Sequence, residues 1–226
     1  MQSQANCPQC GAPIGTGQPG LPVVTCPYCH ALLSKSGDEL SAVGDAGEVP
    51  FDISPLQIGT RLTVNGTRGE IVGRERWAFD RGFWNEWLLQ YPNGSTNWVA
   101  EEAGQFMVMD EIEVSSSEVE ELHGIGSSPW SKIGQNVYIA GSTYTVSDVK
   151  QIRCVAVEGS LPHIISADFA RQSIDLRTRD KRVLTFQSDG HGVTLWKGSY
   201  FRLADLDPVG LRTFEHWPRP DFEAAN

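Results

Sequence analysis

Four cysteines near the amino terminus constrain this chain more than any other feature. Cys7-Pro8-Gln9-Cys10 and Cys26-Pro27-Tyr28-Cys29 are separated by fifteen residues, a C-x2-C-x15-C-x2-C pattern. Each C-x2-C turn aims two sulfurs at one point, and two facing turns complete a tetrahedral four-sulfur site suited to zinc or, less often, a single iron. Two other pairings compete. Disulfides are disfavoured in the reducing cytosol, the compartment expected here because residues 1–7 offer no basic and apolar leader and no apolar run approaches membrane-spanning length. Cys26 to His30 also matches the C-x-x-C-H of haem attachment, but that reading needs export and leaves Cys7 and Cys10 without a purpose. Four thiolates fill the coordination sphere, so the metal braces structure and activates no water.

The knuckles Cys7-Pro8-Gln9-Cys10-Gly11 and Cys26-Pro27-Tyr28-Cys29-His30 resemble those of a zinc ribbon, which implies a domain over residues 1–33. A segment this short buries little core, and metal binding, about 10 to 16 kcal/mol in small finger peptides, supplies most of its folding free energy. Many ribbons bind nucleic acid, so that reading is one alternative. Against it, Lys35 is the one basic residue between 1 and 49, facing Asp38, Glu39, Asp45 and Glu48. The whole chain carries 18 Lys and Arg against 28 Asp and Glu, a net charge of -10, which repels phosphate and attracts basic partners. No nucleic-acid partner is expected.

Residues 34–55 are rich in Ser, Gly, Asp, Glu and Pro and read as a flexible linker. After it comes an internal repeat. Ile58-Gly59-Thr60-Arg61-Leu62-Thr63-Val64-Asn65-Gly66-Thr67 recurs 75 residues later as Ile133-Gly134-Gln135-Asn136-Val137-Tyr138-Ile139-Ala140-Gly141-Ser142. Downstream, Asn93-Gly94, Trp98 and Gly104-Gln105-Phe106 parallel Asp189-Gly190, Trp196 and Gly198-Ser199-Tyr200, so the second copy carries an insertion. Alternation at Leu62/Val64 and Trp87/Leu89/Tyr91, with tight turns between, predicts short strands. The expected fold class is mainly β: a ribbon followed by two tandem SH3-like small barrels, at 56–114 and, longer, at 133–213. A linker or short helix at 115–132, opening S-x-x-E at Ser115, joins them, and 214–226 forms a tail.

Residues 55–205 resemble the bacterial domain-of-unknown-function family 4178. The likeness rests on Ile58-Gly59, on Gly82-Phe83-Trp84-Asn85-Glu86-Trp87-Leu88-Leu89 followed by Asn93-Gly94 and Trp98, and on Val157-Glu158-Gly159-Ser160-Leu161-Pro162. The resemblance implies a ribbon in front of the domain and no established activity. Through its usual gene neighbours it implies a supporting role in membrane-stress or polyamine biology. Ser160 stands where the resemblance implies an acidic residue, so no cation-binding role is carried over to that loop.

Among the aromatics, Trp84 and Trp87 lie three residues apart and so fall on opposite faces of a strand. They either fill a barrel core or, with Glu86, Glu101 and Glu102, present an outward site that holds an ammonium group or a Lys-rich partner. Residues 50–114 hold 5 basic and 10 acidic side chains, placing the acidity in this front half. Arg177, Arg179, Lys181 and Arg182, diluted by Asp175, Asp180 and Asp189, read as a solvated edge at a hairpin turn. Cys154, His163, His191 and Asp168 are the only ingredients of a thiol-nucleophile set, and Cys154 reads instead as a buried hydrophobe. The tail around Trp217 is either a docking peptide or a segment folded back. The expected function is a non-catalytic cytosolic zinc-binding adaptor with a protein partner, without membrane insertion but open to peripheral association through that partner. The alternatives are a carrier of polyamines or other cations and a nucleic-acid binder.

Overall fold

A computed structural model describes residues 4–37, 39–113, 115–127, 129–165, 168–189, 192–218 and 220–222. The cysteine-bearing segment forms the short hairpin β1 (Gln4–Asn6) and β2 (Pro13–Gly15), then β3 (Val23–Thr25), β4 (Ala31–Ser36) and β5 (Glu39–Asp45) in one meander. Residues 39–45, expected to be linker, are therefore a paired strand. Further along the same segment, Val157 N donates to Ala46 O at 2.7 Å and Ser54 is buried. Composition misled because small polar residues also suit an exposed strand pinned from one side.

Two five-strand runs follow. The first is β6 (Arg61–Val64), β7 (Thr67–Phe79), β8 (Gly82–Gln90), β9 (Thr96–Glu102) and β10 (Gln105–Glu111). Two helices, α1 (Ser116–Gly126) and α2 (Pro129–Lys132), lead to the second run, which comprises β11 (Asn136–Ile139), β12 (Ser142–Leu161), β13 (Ala170–Arg177), β14 (Arg182–Ser188) and β15 (Val193–Phe201). The repeated motif has one backbone conformation in both places. Gly59 and Gly134 have φ of 89° and 86°, and Gly59 N→Ile71 O (2.8 Å) matches Gly134 N→Val146 O (2.9 Å). The turns Asn65-Gly66 and Ala140-Gly141 hold positive φ at both residues, as a two-residue hairpin requires.

The two runs do not make two barrels. β7 pairs with β12 and β10 pairs with β15, so the order β7-β8-β9-β10-β15-β14-β13-β12 closes on itself as one eight-stranded antiparallel barrel. Two half-barrels thereby remove each other's exposed edges, a gain neither could make alone. The β7·β12 seam is close: Gly73 lies opposite Gly159, and a Cβ on Gly73 would stand 2.1 Å from Ser160 O. Beyond that point β12 continues into the ribbon, pairing Ser160 with Val24 and Leu161 with Val23. The ribbon is thus joined to the barrel by a strand and does not swing on a tether.

Both faces of the barrel wall are covered. Inside lie Trp77, Trp84, Leu88, Trp98, Met109, Cys154 and Trp196, in one buried cluster with Leu21, Val23, Leu32 and Ala46 of the ribbon. Outside the first half, Trp87, Leu89, Val99 and Phe106 are roofed by Leu56 and by Leu206 and Leu211 from the chain's end. Outside the second half, α1 packs Leu122 and Ile125 over Tyr144, Ile174 and Phe186. α1 opens with the expected capping box between Ser115 and Glu118, and Glu118 also accepts from Ala140 N at 2.9 Å. It is a packed lid and not a mere connection. None of the described helices is long and apolar enough to cross a membrane.

Candidate metal centre and the charged barrel wall

Each knuckle folds back on its first cysteine. Gly11 N and His30 N donate to Cys7 O (2.8 Å) and Cys26 O (3.0 Å), and both residues take the positive φ that the tight turn demands. The four Sγ atoms lie within 4.8 Å of one another, with Cys7–Cys29 at 3.7 Å and Cys10–Cys26 at 3.8 Å. A tetrahedron with metal–sulfur bonds of about 2.3 Å has sulfur–sulfur edges of about 3.8 Å. A disulfide needs about 2.05 Å. The spacing is that of four ligands around one ion, and all five cysteines are free thiols here. Without an ion the quartet is electrostatically divided. Burial opposes ionisation of Cys7, but the N–H groups of Cys10 and Gln9 together with the Cys26 and Cys10 side chains bring the thiol down to about 7. The Ala31 N–H favours the Cys29 thiolate, yet burial and the three neighbouring sulfurs push it up to about 12. Four thiolates coexist here only around a cation.

The aromatic and acidic candidates separate onto two faces. Trp84 and Trp87 do point to opposite sides, as their spacing requires, but both are buried because each side is covered. On the outer face, Trp87 Nε1, Ser54 Oγ and Asn85 Nδ2 donate to Glu101 Oε2 at 2.9, 2.6 and 3.0 Å. Beside them Asp52 takes Arg74 at close range, Arg212 at 2.8 Å and Arg76 at 3.5 Å. Burial alone would raise the Asp52 carboxyl, and Arg74, Asn85 and Arg76 together hold it below its usual range. Removing one member of a buried pair of this kind costs about 3 to 5 kcal/mol, because its partner is left charged and dry. Trp87 and Glu101 therefore fasten the 51–56 segment to the barrel wall and are not an open binding site.

On the inner face, Trp84 Nε1 donates to Glu86 Oε1 at 3.1 Å and Trp77 Nε1 to Glu75 Oε2 at 3.2 Å. Glu86 lies wholly inside; burial first, and Glu75 second, raise its carboxyl to about 7. Glu102 sits at the barrel mouth with its side chain 39% exposed, and Lys150 reaches it at 3.5 Å. Sequence reasoning missed Lys150 and Asp148 and set Asp175 on a solvated edge, whereas Asp175 accepts from Thr185 Oγ1 at 3.0 Å and lies 4.0 Å from Lys150; the closing of the barrel brings all three to Glu102 from the other half of the chain. The 75-residue offset marked two related halves, but nothing in it said that they close one barrel together.

Each described member of the thiol set has a partner or surroundings of its own. Burial pushes the Cys154 thiol up, and its Sγ lies 3.7 Å from Ala156 O. His163 pairs with Glu75 at 3.0 Å and Asp168 pairs with Arg153, while His191 lies outside the described residues. Arg177 to Arg182 form the β13–β14 turn, where Arg182 reaches Asp180 at 3.0 Å; both strands are paired on each side, so this is not a sheet edge. Ser160 Oγ accepts from Gln18 N at 3.0 Å, which ties the ribbon down. Trp217 stays 60% exposed, its ring tilted against that of Phe214 with centroids 5.6 Å apart.

The family described as Domain of unknown function (DUF4178) matches residues 57–202, the whole barrel. The chain belongs to the DUF4178 family. No curated protein and no solved structure matches it. For a DUF4178 protein the closed barrel explains the extent of the match: it starts at the Ile58-Gly59 turn that opens β6 and ends as β15 closes the second seam. The cysteine quartet lies outside those limits, on the segment that extends the β12 edge.

Proposed function

We propose that this DUF4178 chain is a non-catalytic cytoplasmic adaptor in which one Zn2+ braces the ribbon, and that its barrel arose by duplication of a half-barrel. The observation that carries the reading is the strand junction between ribbon and barrel. β3 and β12 pair at Val23–Leu161, and a cleft of about 450 Å³ runs along the join, lined by Pro27, His30, Glu48, Val49, Ile58 and Glu158. The cleft carries the apolar side chains of Pro27, Val49 and Ile58 and two carboxylates, which suits a protein segment with apolar and basic side chains. A four-sulfur site supports a bracing role, as it leaves no coordination position for a substrate. A partner in a membrane-stress or polyamine-linked system is the reading we favour, and the support for it is the family resemblance alone.

Affinity capture with the full chain and with an Ile58→Asp, Glu158→Arg variant tests the reading. A partner retained by the parent and lost by the folded variant is expected. Identical capture by both would remove the cleft from consideration.

A further inference from the structure

The barrel mouth opens at the end of β7, where a cavity of about 450 Å³ is lined by Phe79, Asp80, Arg81, Glu102, Asp148 and Lys150 among others. Lys150 and Glu102 also line an inner void of about 20 Å³ bounded by Trp84, Glu86, Asp175 and Thr185. The Lys150 ammonium lies 4.7 Å from the Phe79 ring centroid and 5.6 Å from that of Trp84. Asp148, Glu102 and Asp175 stand at 3.0, 3.5 and 4.0 Å from the same nitrogen. Two aromatic faces and three carboxylates thus surround one ammonium, and the box keeps a formal surplus of two negative charges.

This chemistry selects an organic cation. Aromatic faces attract an ammonium through the ring quadrupole and pack against its alkyl stem, while the carboxylates pair its charge, and the rings offer no ligand to a hydrated metal ion. Among the described residues, the cysteine quartet is the one group of three or more His, Cys, Asp or Glu side chains whose ligand atoms converge on a single point. The chain's own lysine is a primary ammonium on a four-carbon stem, so the box already holds the group it is shaped for. Glu102 and Asp148 remain 39% and 42% exposed toward the cavity, where an incoming stem would lie.

We infer that the barrel mouth binds a primary alkylammonium group, which takes the place of Lys150 between Phe79, Trp84, Glu102 and Asp148. Lys150 is the built-in competitor: it fills the box until an external ammonium displaces it into the outer cavity. The group comes either from a free aliphatic amine or from a lysine side chain of another protein. The inference is independent of the ribbon cleft and stands whether or not that cleft has a partner.

The test is titration of the full chain with 1,4-diaminobutane and, separately, with a lysine-containing peptide, read by tryptophan emission and calorimetry at ionic strength matched with KCl. Lys150→Ala removes the competitor and is expected to tighten binding by about tenfold or more. Glu102→Gln is expected to weaken it several-fold in either background. Should Lys150→Ala not fold, the parent and Glu102→Gln decide alone: amine binding weakened by the substitution supports the site. Response to the diamine alone assigns a free amine as ligand, and equal response to the peptide assigns a lysine side chain. No binding at about 10 mM amine, a response reproduced by KCl, or binding indifferent to Glu102→Gln would overturn the inference.

Discussion

Glu86 shows what one enclosed carboxyl does to the molecule. Its carboxyl is lifted from the ordinary 4.5 to about 7, first by burial and then by Glu75. A raised pKa means that the folded state takes up a proton, so the group's contribution to stability is full below about 4.5 and is lost as pH rises through about 7. Glu86→Gln keeps an oxygen for Trp84 and Gln187 to donate to and removes the charge. Urea unfolding as a function of pH should show the variant more stable than the parent by on the order of 2 kcal/mol at pH 8, with the difference fading toward pH 4. Parallel profiles would mean that Glu86 ionises freely. Asp52 has the opposite sign: its carboxyl is held low by Arg74, so its contribution is present at neutral pH and lost as acid protonates it.

Among the elements, the β7·β12 seam concentrates the constraints. Gly159 has a φ of 78°, and a Cβ there would lie 2.3 Å from Val72 O. Gly159→Ala is expected to cost about 1 to 3 kcal/mol from backbone strain alone, and more from the clash, seen as a lowered midpoint in thermal unfolding. An unchanged midpoint would show that the seam gives way freely. Much of this element layer was legible in the sequence. Asn65-Gly66, Asn93-Gly94 and the S-x-x-E box at Ser115 are local signals, and each sits where its chemistry requires. The strand partners were not legible. Nothing within ten residues of Trp77 says that Cys154 lies opposite it, and nothing near Trp87 says that Leu206 and Leu211 roof its face. A half-buried strand and a doubly buried one share the same alternating carbon positions, so the pattern left open whether the rings fill a core or face outward, and both Trp84 and Trp87 are covered. The metal quartet was the reverse case: both knuckles are local, and sulfur chemistry supplied the long-range contact.

The whole molecule is a barrel whose longest strand runs on to become the dock for the four-cysteine ribbon. β12 spans Ser142 to Leu161 and touches β11, β13, β7 and β3 in turn, so it links both halves and the ribbon in one hydrogen-bonded path. The account stands on that continuity: the ion holds the ribbon, and the ribbon protects the end of β12. Amide hydrogen exchange on the full chain, with its metal and after chelation, tests it most directly. Chelation should release the amides of β3, β4 and residues 159–161 while those of β8 and β9 keep their protection. If the chelated chain kept the ribbon and the β12 end as protected as before, the metal would not be what holds this junction together.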